Sequence, residues 1–317
     1  MISRRHFIRT GIALSAATAL PIQSMGIGIN AETKKFTLCL NAGNIGVEAN
    51  QHELFNMAVK HGFEAISVYA SSLSDMSNDE IKAFLNDMKF KNIQWGSAGL
   101  PVDFRKDDTT FKEGLKPLPD YARAMEKAGA NRMNTWILSF DHSLTYLQNF
   151  KQHVQRLREV ATILNDYGVR LGLEYVGPRT LQAVGKYSFI RTMAENKELI
   201  AAIDRPNVGF VLDSFHWYCA GESKEDLLTL TNEDIVAVDL NDARTGFPAD
   251  EQIDGMRELP SATGVIDLKA FLSALISIGY DGPVRAEPFN QPLRDMDNEA
   301  ALKATYDAMK KSFNLVN

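Results

Sequence analysis

Four times in this chain a glycine closes an amphipathic helical stretch and an apolar residue leads on toward a β-like run: His61-Gly62-Phe63, Ala128-Gly129-Ala130, Tyr167-Gly168-Val169 and Ile278-Gly279-Tyr280. Glycine takes the left-handed conformation that ends a helix, and the apolar residue after it folds back on the last turn. Repeated helix-to-strand connections are what a parallel sheet requires, because parallel neighbours cannot be joined by a hairpin. Eight candidate strands fit between these marks: Thr37–Leu40, Ala65–Tyr69, Ile93–Gly96, Arg132–Ile137, Val169–Glu174, Val208–Asp213, Ile235–Leu240 and Val284–Glu287. Helical patterns separate most of them. Ser77 with Glu80 is a capping signal, followed by Ile81, Phe84, Leu85 and Met88 at helical spacing. Leu268, Phe271, Leu272 and Leu275 repeat the theme.

The ends of the last four runs decide between an open sheet and a closed one. They carry Glu174, Asp213, Asp239 and Glu287. In a flat sheet, four neighbouring ends would spread over roughly 14 Å, at about 4.8 Å per strand, too far for one ion to touch them all. Closed into a barrel, the same ends curve around one axis. An open dinucleotide-binding sheet also wants G-x-G-x-x-G after a strand, and Gly96-Ser97-Ala98-Gly99 does not meet that pattern. The expected fold is an α/β (β/α)₈ TIM barrel, a single domain over residues 35–317, with no linker or low-complexity segment to split it.

The N-terminus reads differently. Arg4-Arg5-His6-Phe7 precedes a weak apolar stretch from Gly11 to Leu20. This order resembles a twin-arginine signal peptide, placed over residues 1–31, with export by the twin-arginine machinery to the periplasm or beyond. No cysteine follows to take a lipid anchor, and no internal stretch is apolar enough to span a bilayer. A net charge of -6 gives no electrostatic footing for nucleic acid. Cys39 and Cys219 make no disulfide framework and are expected as buried thiols.

Each strand end has a local reading. Glu174 closes Gly172-Leu173-Glu174-Tyr175, where a carboxylate is costly unless paired or metal-bound. Asp213 and His216 share an Asp-x-x-His spacing, with the carboxylate at the strand tip and the imidazole just past it. Asp239 and Asp242 flank the seventh end, and Asp242 is the better suited to bonding loop amides. Glu287 is followed by Pro288, which forbids continuing the ladder. Four carboxylates on one face repel one another, and a divalent metal offsets that repulsion. Trp217, beside His216, is the aromatic best placed to face a bound ligand, whereas Trp95 and Trp136 read equally as core.

Together these segments resemble the xylose isomerase-like barrel superfamily, which includes sugar phosphate isomerase/epimerases, ketose 3-epimerases, inosose dehydratases and an endonuclease branch. The carriers are L-E at Glu174, D-x-x-H at Asp213 and His216, the segment Asp239 to Asp242, E-P-F at Glu287, and Gly264-Val265-Ile266-Asp267 with Gly279-Tyr280-Asp281-Gly282. The resemblance implies a metal held by Glu174, Asp213, Asp239 and Glu287. The family usually has histidine where Asp239 stands, and the resulting all-oxygen set favours Mn²⁺ or Mg²⁺ over Zn²⁺. The endonuclease branch is set aside, because its zinc cluster needs several histidines and only His142 and His216 occupy strand-end or loop positions.

The implied chemistry is proton transfer beside a carbonyl. The metal would hold the enediolate, while Glu174 and Glu287 remove and return the proton. His216 would bond a substrate hydroxyl, with Asp242, Arg244, Arg179, His142 and Trp217 as further candidates for holding the sugar. Export, and the lack of a glycine-rich phosphate cradle, point to an unphosphorylated sugar or glycoside. The same residues could serve a lyase that cleaves 3-keto-glycosides by β-elimination. The exchange of histidine for Asp239 also fits a non-catalytic sugar-binding protein. Relatives are often dimers or tetramers, so the resemblance implies a homo-oligomer.

Overall fold

Apolar runs and glycine-closed helices alternate along the chain as the spacing predicts. The computed structural model describes residues 34–316, and the signal-peptide reading over 1–31 lies outside the described residues. Eight strands form the barrel: β1 (Thr37–Leu40), β2 (Ala65–Val68), β3 (Gln94–Gly99), β4 (Arg132–Ile137), β5 (Arg170–Tyr175), β6 (Val208–Asp213), β7 (Ile235–Leu240) and β8 (Pro283–Ala286). All are parallel, hydrogen-bonded in the order β1-β8-β7-β6-β5-β4-β3-β2, and the sheet closes where Thr37 pairs with Pro283.

Parallel strands covered on both faces should read as continuous apolar runs, and every residue of β7 and β8 is buried. The covering helices present one apolar side each. Tyr146–Asn165 buries Leu157, Val160, Ala161 and Leu164, and Leu268–Ile278 buries Leu268, Phe271, Leu272 and Leu275. Gly62, Gly129, Gly168 and Gly279 have φ of 84°, 68°, 67° and 76°, the left-handed turn that brings each helix back to the next strand. Ser77 and Glu80 form the expected capping box.

β1, β4, β6 and β7 have the limits read from the sequence, and the limits of the other four strands shift by one to three residues. β3 begins later and runs on to Gly99, and β8 stops at Ala286. Glu287 leaves the ladder because its N–H donates to the Asn241 side chain at 3.0 Å, and Pro288 follows. A short antiparallel ribbon, Phe140–Asp141 with Tyr187–Ser188, joins the loops after β4 and β5. Cys39 and Cys219 are buried and free. Among the described residues no helix is long and apolar enough to cross a membrane.

Candidate active site

Register sets the first layer of the site. Asp213 on β6 pairs with Asp239 on β7, and Asp239 pairs with Arg285 on β8. Residues paired across parallel strands point to the same face, so three charged side chains lie side by side inside the barrel. Glu174, near the end of β5, and Glu287, just past β8, stand at the same mouth. Donor atoms of Glu174, Asp213 and His216 lie within 4.8 Å of one another, and so do those of Glu174, Asp239 and Glu287. The structure therefore gathers all four strand-end carboxylates, and His216 with them.

It also gathers two cations that the sequence reading missed. Arg285 grips both oxygens of Asp239, Nε to Oδ1 at 2.5 Å and Nη2 to Oδ2 at 2.8 Å. Its Nη1 donates to Ser97 Oγ at 2.7 Å and Asn134 Oδ1 at 3.2 Å. Arg257 enters from the loop after β7. Its Nη1 donates to Asp213 Oδ2 at 2.8 Å and Glu287 Oε2 at 3.2 Å. Its Nη2 donates to Asp254 Oδ1 at 2.8 Å and to His216 Nε2 at 3.2 Å. The guanidinium sits between two rings, 4.9 Å from the centre of Phe215 and 4.4 Å from that of Phe289. Phe289 reaches this place with φ of 40°, a left-handed backbone uncommon for a bulky residue and typical of a constrained site.

Asp213 is fixed on both sides. Oδ1 caps the helix Ser214–Ala220 by accepting from the N–H groups of Phe215 at 2.5 Å and His216 at 3.3 Å, and Oδ2 also accepts from Asn241 Nδ2 at 2.8 Å. Glu174 is the exception. Its Oε1 is buried with no hydrogen-bond partner among the described residues, and His216 Nε2 lies 3.9 Å away. Burial, and then Glu287 and Asp213, push its carboxyl well above the usual range. Burial and Asp239 push Glu287 up to about 8. Burial holds His216 at about 4, so the imidazole is neutral. Because Nε2 accepts from Arg257, the proton of this neutral ring is on Nδ1.

Residues 55–312 match the family described as xylose isomerase-like TIM barrel. The chain belongs to that family. A xylose isomerase domain protein from Alicyclobacillus acidocaldarius superposes with a TM-score of 0.77 at 30% identity, over 89% of this chain and 99% of that one. The IOLI protein, solved with a zinc atom, gives 0.71 at 25% identity, over 89% and 98%. An inosose isomerase of Bacillus subtilis is 32% identical over 52% of this chain and 58% of its own length. That of Bacillus velezensis is 24% identical over 84% and 93%. More distant matches are a D-psicose 3-epimerase of Ruminiclostridium cellulolyticum, 24% identical over 76% and 79%, and a 3-dehydroshikimate dehydratase of Pseudomonas aeruginosa, 30% identical over 44% and 20%.

In this xylose isomerase-like barrel the acidic and histidine cluster fits a divalent cation. Five carboxylates, Glu174, Asp213, Asp239, Asp254 and Glu287, face two guanidinium groups, so the cluster stays anionic. The unpartnered oxygen of Glu174 is a ready donor. The repulsion that a divalent metal is expected to offset is already relieved in large part by Arg257 and Arg285.

The other candidates disperse. Asp242 is fully buried, with Oδ2 accepting from the N–H groups of Thr263 and Gly264 and Oδ1 from those of Ile266 and Ala243. It holds a loop and does not face a substrate. Trp217 is 6% exposed, donates to Ser223 O at 3.0 Å and packs on Phe271, so it is core rather than a sugar platform. The exposed tryptophan is Trp136, which pairs in register with Glu174. Arg179 and His142 are exposed, and neither has a hydrogen bond to the cluster. Arg244 lies over Phe247, 4.3 Å from its ring centre, and lines a cavity of about 610 Å³ together with Asp254 and Arg257.

Proposed function

We propose that the chain is a sugar isomerase/epimerase that moves a proton on a carbon beside a carbonyl, acting on an unphosphorylated sugar or glycoside. The observation that carries this reading is the pair Glu174, buried, and Glu287, partly buried, at one barrel mouth, both with raised proton affinity. A general base or acid works best when its pKa lies near the working pH, and burial moves both groups in that direction. One glutamate takes the proton and the other returns it to the opposite face. Arg257, a buried cation between Asp213 and Glu287, stabilises negative charge developing on a substrate oxygen in a dry pocket. His216, neutral and beside Glu174, accepts from Arg257 and helps hold that guanidinium in place.

Glu174, Asp213, Asp239 and Glu287 would hold a divalent metal, which supplies Lewis-acid polarisation of the carbonyl. Oxygen donors dominate this set, which favours Mn²⁺ or Mg²⁺ over Zn²⁺. The inosose isomerases and ketose epimerase among the relatives support isomerase chemistry. The dehydratase among them supports a second reading, β-elimination from a 3-keto-glycoside, which begins with the same proton loss. Arg4-Arg5 and the apolar stretch after it support twin-arginine delivery to the periplasm.

The test is deuterium uptake from D₂O into inososes, ketoses and 3-keto-glycosides by protein stripped of metal and reloaded with Mn²⁺, Mg²⁺ or Zn²⁺. Metal-dependent exchange is expected. Glu174→Gln should lower it by about 10²–10⁴-fold, the range of general acid–base contributions, with the melting curve retained. Exchange without loss of mass marks an isomerase, and release of an aglycone marks the lyase. No exchange into any of these sugars would sink the enzymatic reading.

A further inference from the structure

A second cavity of about 370 Å³ opens between the loop after β3 and the segment after β4, on the face that carries the carboxylates. Trp136 stands at its edge. Its residue pairs in register with Glu174, so its ring projects from the next strand on the same inner face. It is 42% exposed. Arg105 lies over the ring, 4.1 Å from the centroid, and its Nη1 donates to Trp136 O at 2.7 Å while its Nε meets Asp103 at 3.3 Å. One side of the indole is thereby fixed by the protein, and the ring is held as a platform.

The inner wall is His153, 2% exposed and packed edge-on against Phe104. Nδ1 lies 2.9 Å from Asn149 O, and a carbonyl can only accept, so Nδ1 carries the proton. Nε2 is then a bare acceptor, buried, with no partner among the described residues. Burial keeps the ring neutral. A neutral acceptor of this kind selects an O–H donor and gives an anion nothing to bind. The charges nearby agree, since Arg105 and Lys106 are matched by Asp103 and Asp141. An aromatic face, a buried hydroxyl acceptor and a fixed guanidinium donor, without net charge, together make a set that reads neutral polyhydroxylated rings.

We propose that this cavity is a second carbohydrate subsite, which takes a neutral sugar ring joined to the one that reacts at Glu174. The inference rests on the reading of Glu174 and Glu287 as sugar-converting residues and narrows their substrate to glycosides of at least two rings. It also gives Trp136 and His153 a role in choosing substrate size that is separate from the proton transfer.

The experiment is calorimetric titration of the full-length protein with glucose and galactose, and with cellobiose, lactose, maltose and trehalose. For the wild type, at least one disaccharide should bind tenfold or more tightly than either monosaccharide. Trp136→Ala and, separately, His153→Leu should abolish that advantage and leave monosaccharide affinity within twofold. Leu keeps the apolar packing while removing the acceptor, and a melting curve checks each fold. If His153→Leu does not fold, Trp136→Ala alone decides. Disaccharides binding no better than monosaccharides, or an advantage that survives Trp136→Ala, would overturn the subsite and leave the isomerase reading standing. Failure of every sugar to bind would also overturn the subsite, while the isomerase reading stands or falls by deuterium exchange into inososes, ketoses and 3-keto-glycosides.

Discussion

Arg285 and Asp239 illustrate how a charge can sit in the centre of a barrel. Arg285 turns inward from β8, beside Asp239 on β7, and Glu287, just past the strand end, reaches the same mouth. A carboxylate beside a rigid, planar guanidinium gains two parallel hydrogen bonds, and the remaining N–H groups find Ser97 and Asn134. Breaking such a pair leaves one charge buried and alone. Arg285→Met should therefore lower unfolding stability by about 3–5 kcal/mol, measured by urea denaturation. The same change frees both oxygens of Asp239, so a divalent cation should bind the variant more tightly and recover part of the loss. A variant as stable as the wild type would contradict the ion pair's importance. The carboxylates were legible because each one interrupts an apolar run at a strand end. Arg257 was not, since it lies in a loop without periodicity, 44 residues beyond Asp213 in the chain. Arg285 did leave a signal, a charged residue two before Glu287 in an otherwise apolar strand, and strict alternation would have found it. Alternation also places Trp136 on the inner face of β4, in register with Glu174, whereas Trp217 follows helical rather than strand spacing and its helix turns it into the core.

The loop between β7 and the helix Leu268–Ile278 is the element that completes the site. It has little regular structure, yet it must present Asp254 and Arg257 to the mouth at fixed distances. Asp242 does this by accepting from the N–H groups of Ala243, Thr263, Gly264 and Ile266, and its backbone bridges to Glu258 at 2.9 Å in both directions. Charged hydrogen bonds to buried amides are worth more than neutral ones. Asp242→Ala should cost about 3 kcal/mol and speed amide exchange at Thr263 and Gly264. It should also lower turnover, although Asp242 touches no substrate. Unchanged exchange at those amides would show that the loop is held by something else. Gly177 is a second element-level constraint. A Cβ there would fall 2.3 Å from His216 O, so the chain leaving β5 must pass directly against the helix that carries His216. Gly177→Ala should destabilise by about 1–3 kcal/mol and shift the His216 resonances in an NMR spectrum.

At the scale of the whole barrel, the buried titrating groups set a pH profile. Glu287, at about 8, and Glu174 have carboxyls raised above the ordinary value of 4.5. A group of this kind favours the fold at low pH, and its contribution is lost as the pH rises through the folded value. His153 and His216, held at about 4 by burial against an ordinary value of 6.5, favour the fold at high pH and lose that contribution as the pH falls below 6.5. The two trends oppose one another between about 4.5 and 6.5, and above that the raised glutamates act, with Glu222, pushed up by burial to about 7, adding in the same sense. Without divalent cations, stability should fall as the pH rises from about 6.5 to 8. Added Mn²⁺ should reverse the slope, because a bound cation holds both glutamates ionised. Melting temperatures across that range, with chelator and with metal, check this. A flat profile under chelator would mean that the glutamates are not electrostatically strained.

Two guanidinium groups locked among the acids have one more consequence. A mouth that carries its own positive charges has no need of an ion to hold its rim together while the chain collapses. Folding and any loading of the centre would then be separate events, the second reversible on a finished scaffold. Such a centre could be emptied and refilled with one cation after another without taking the polypeptide apart.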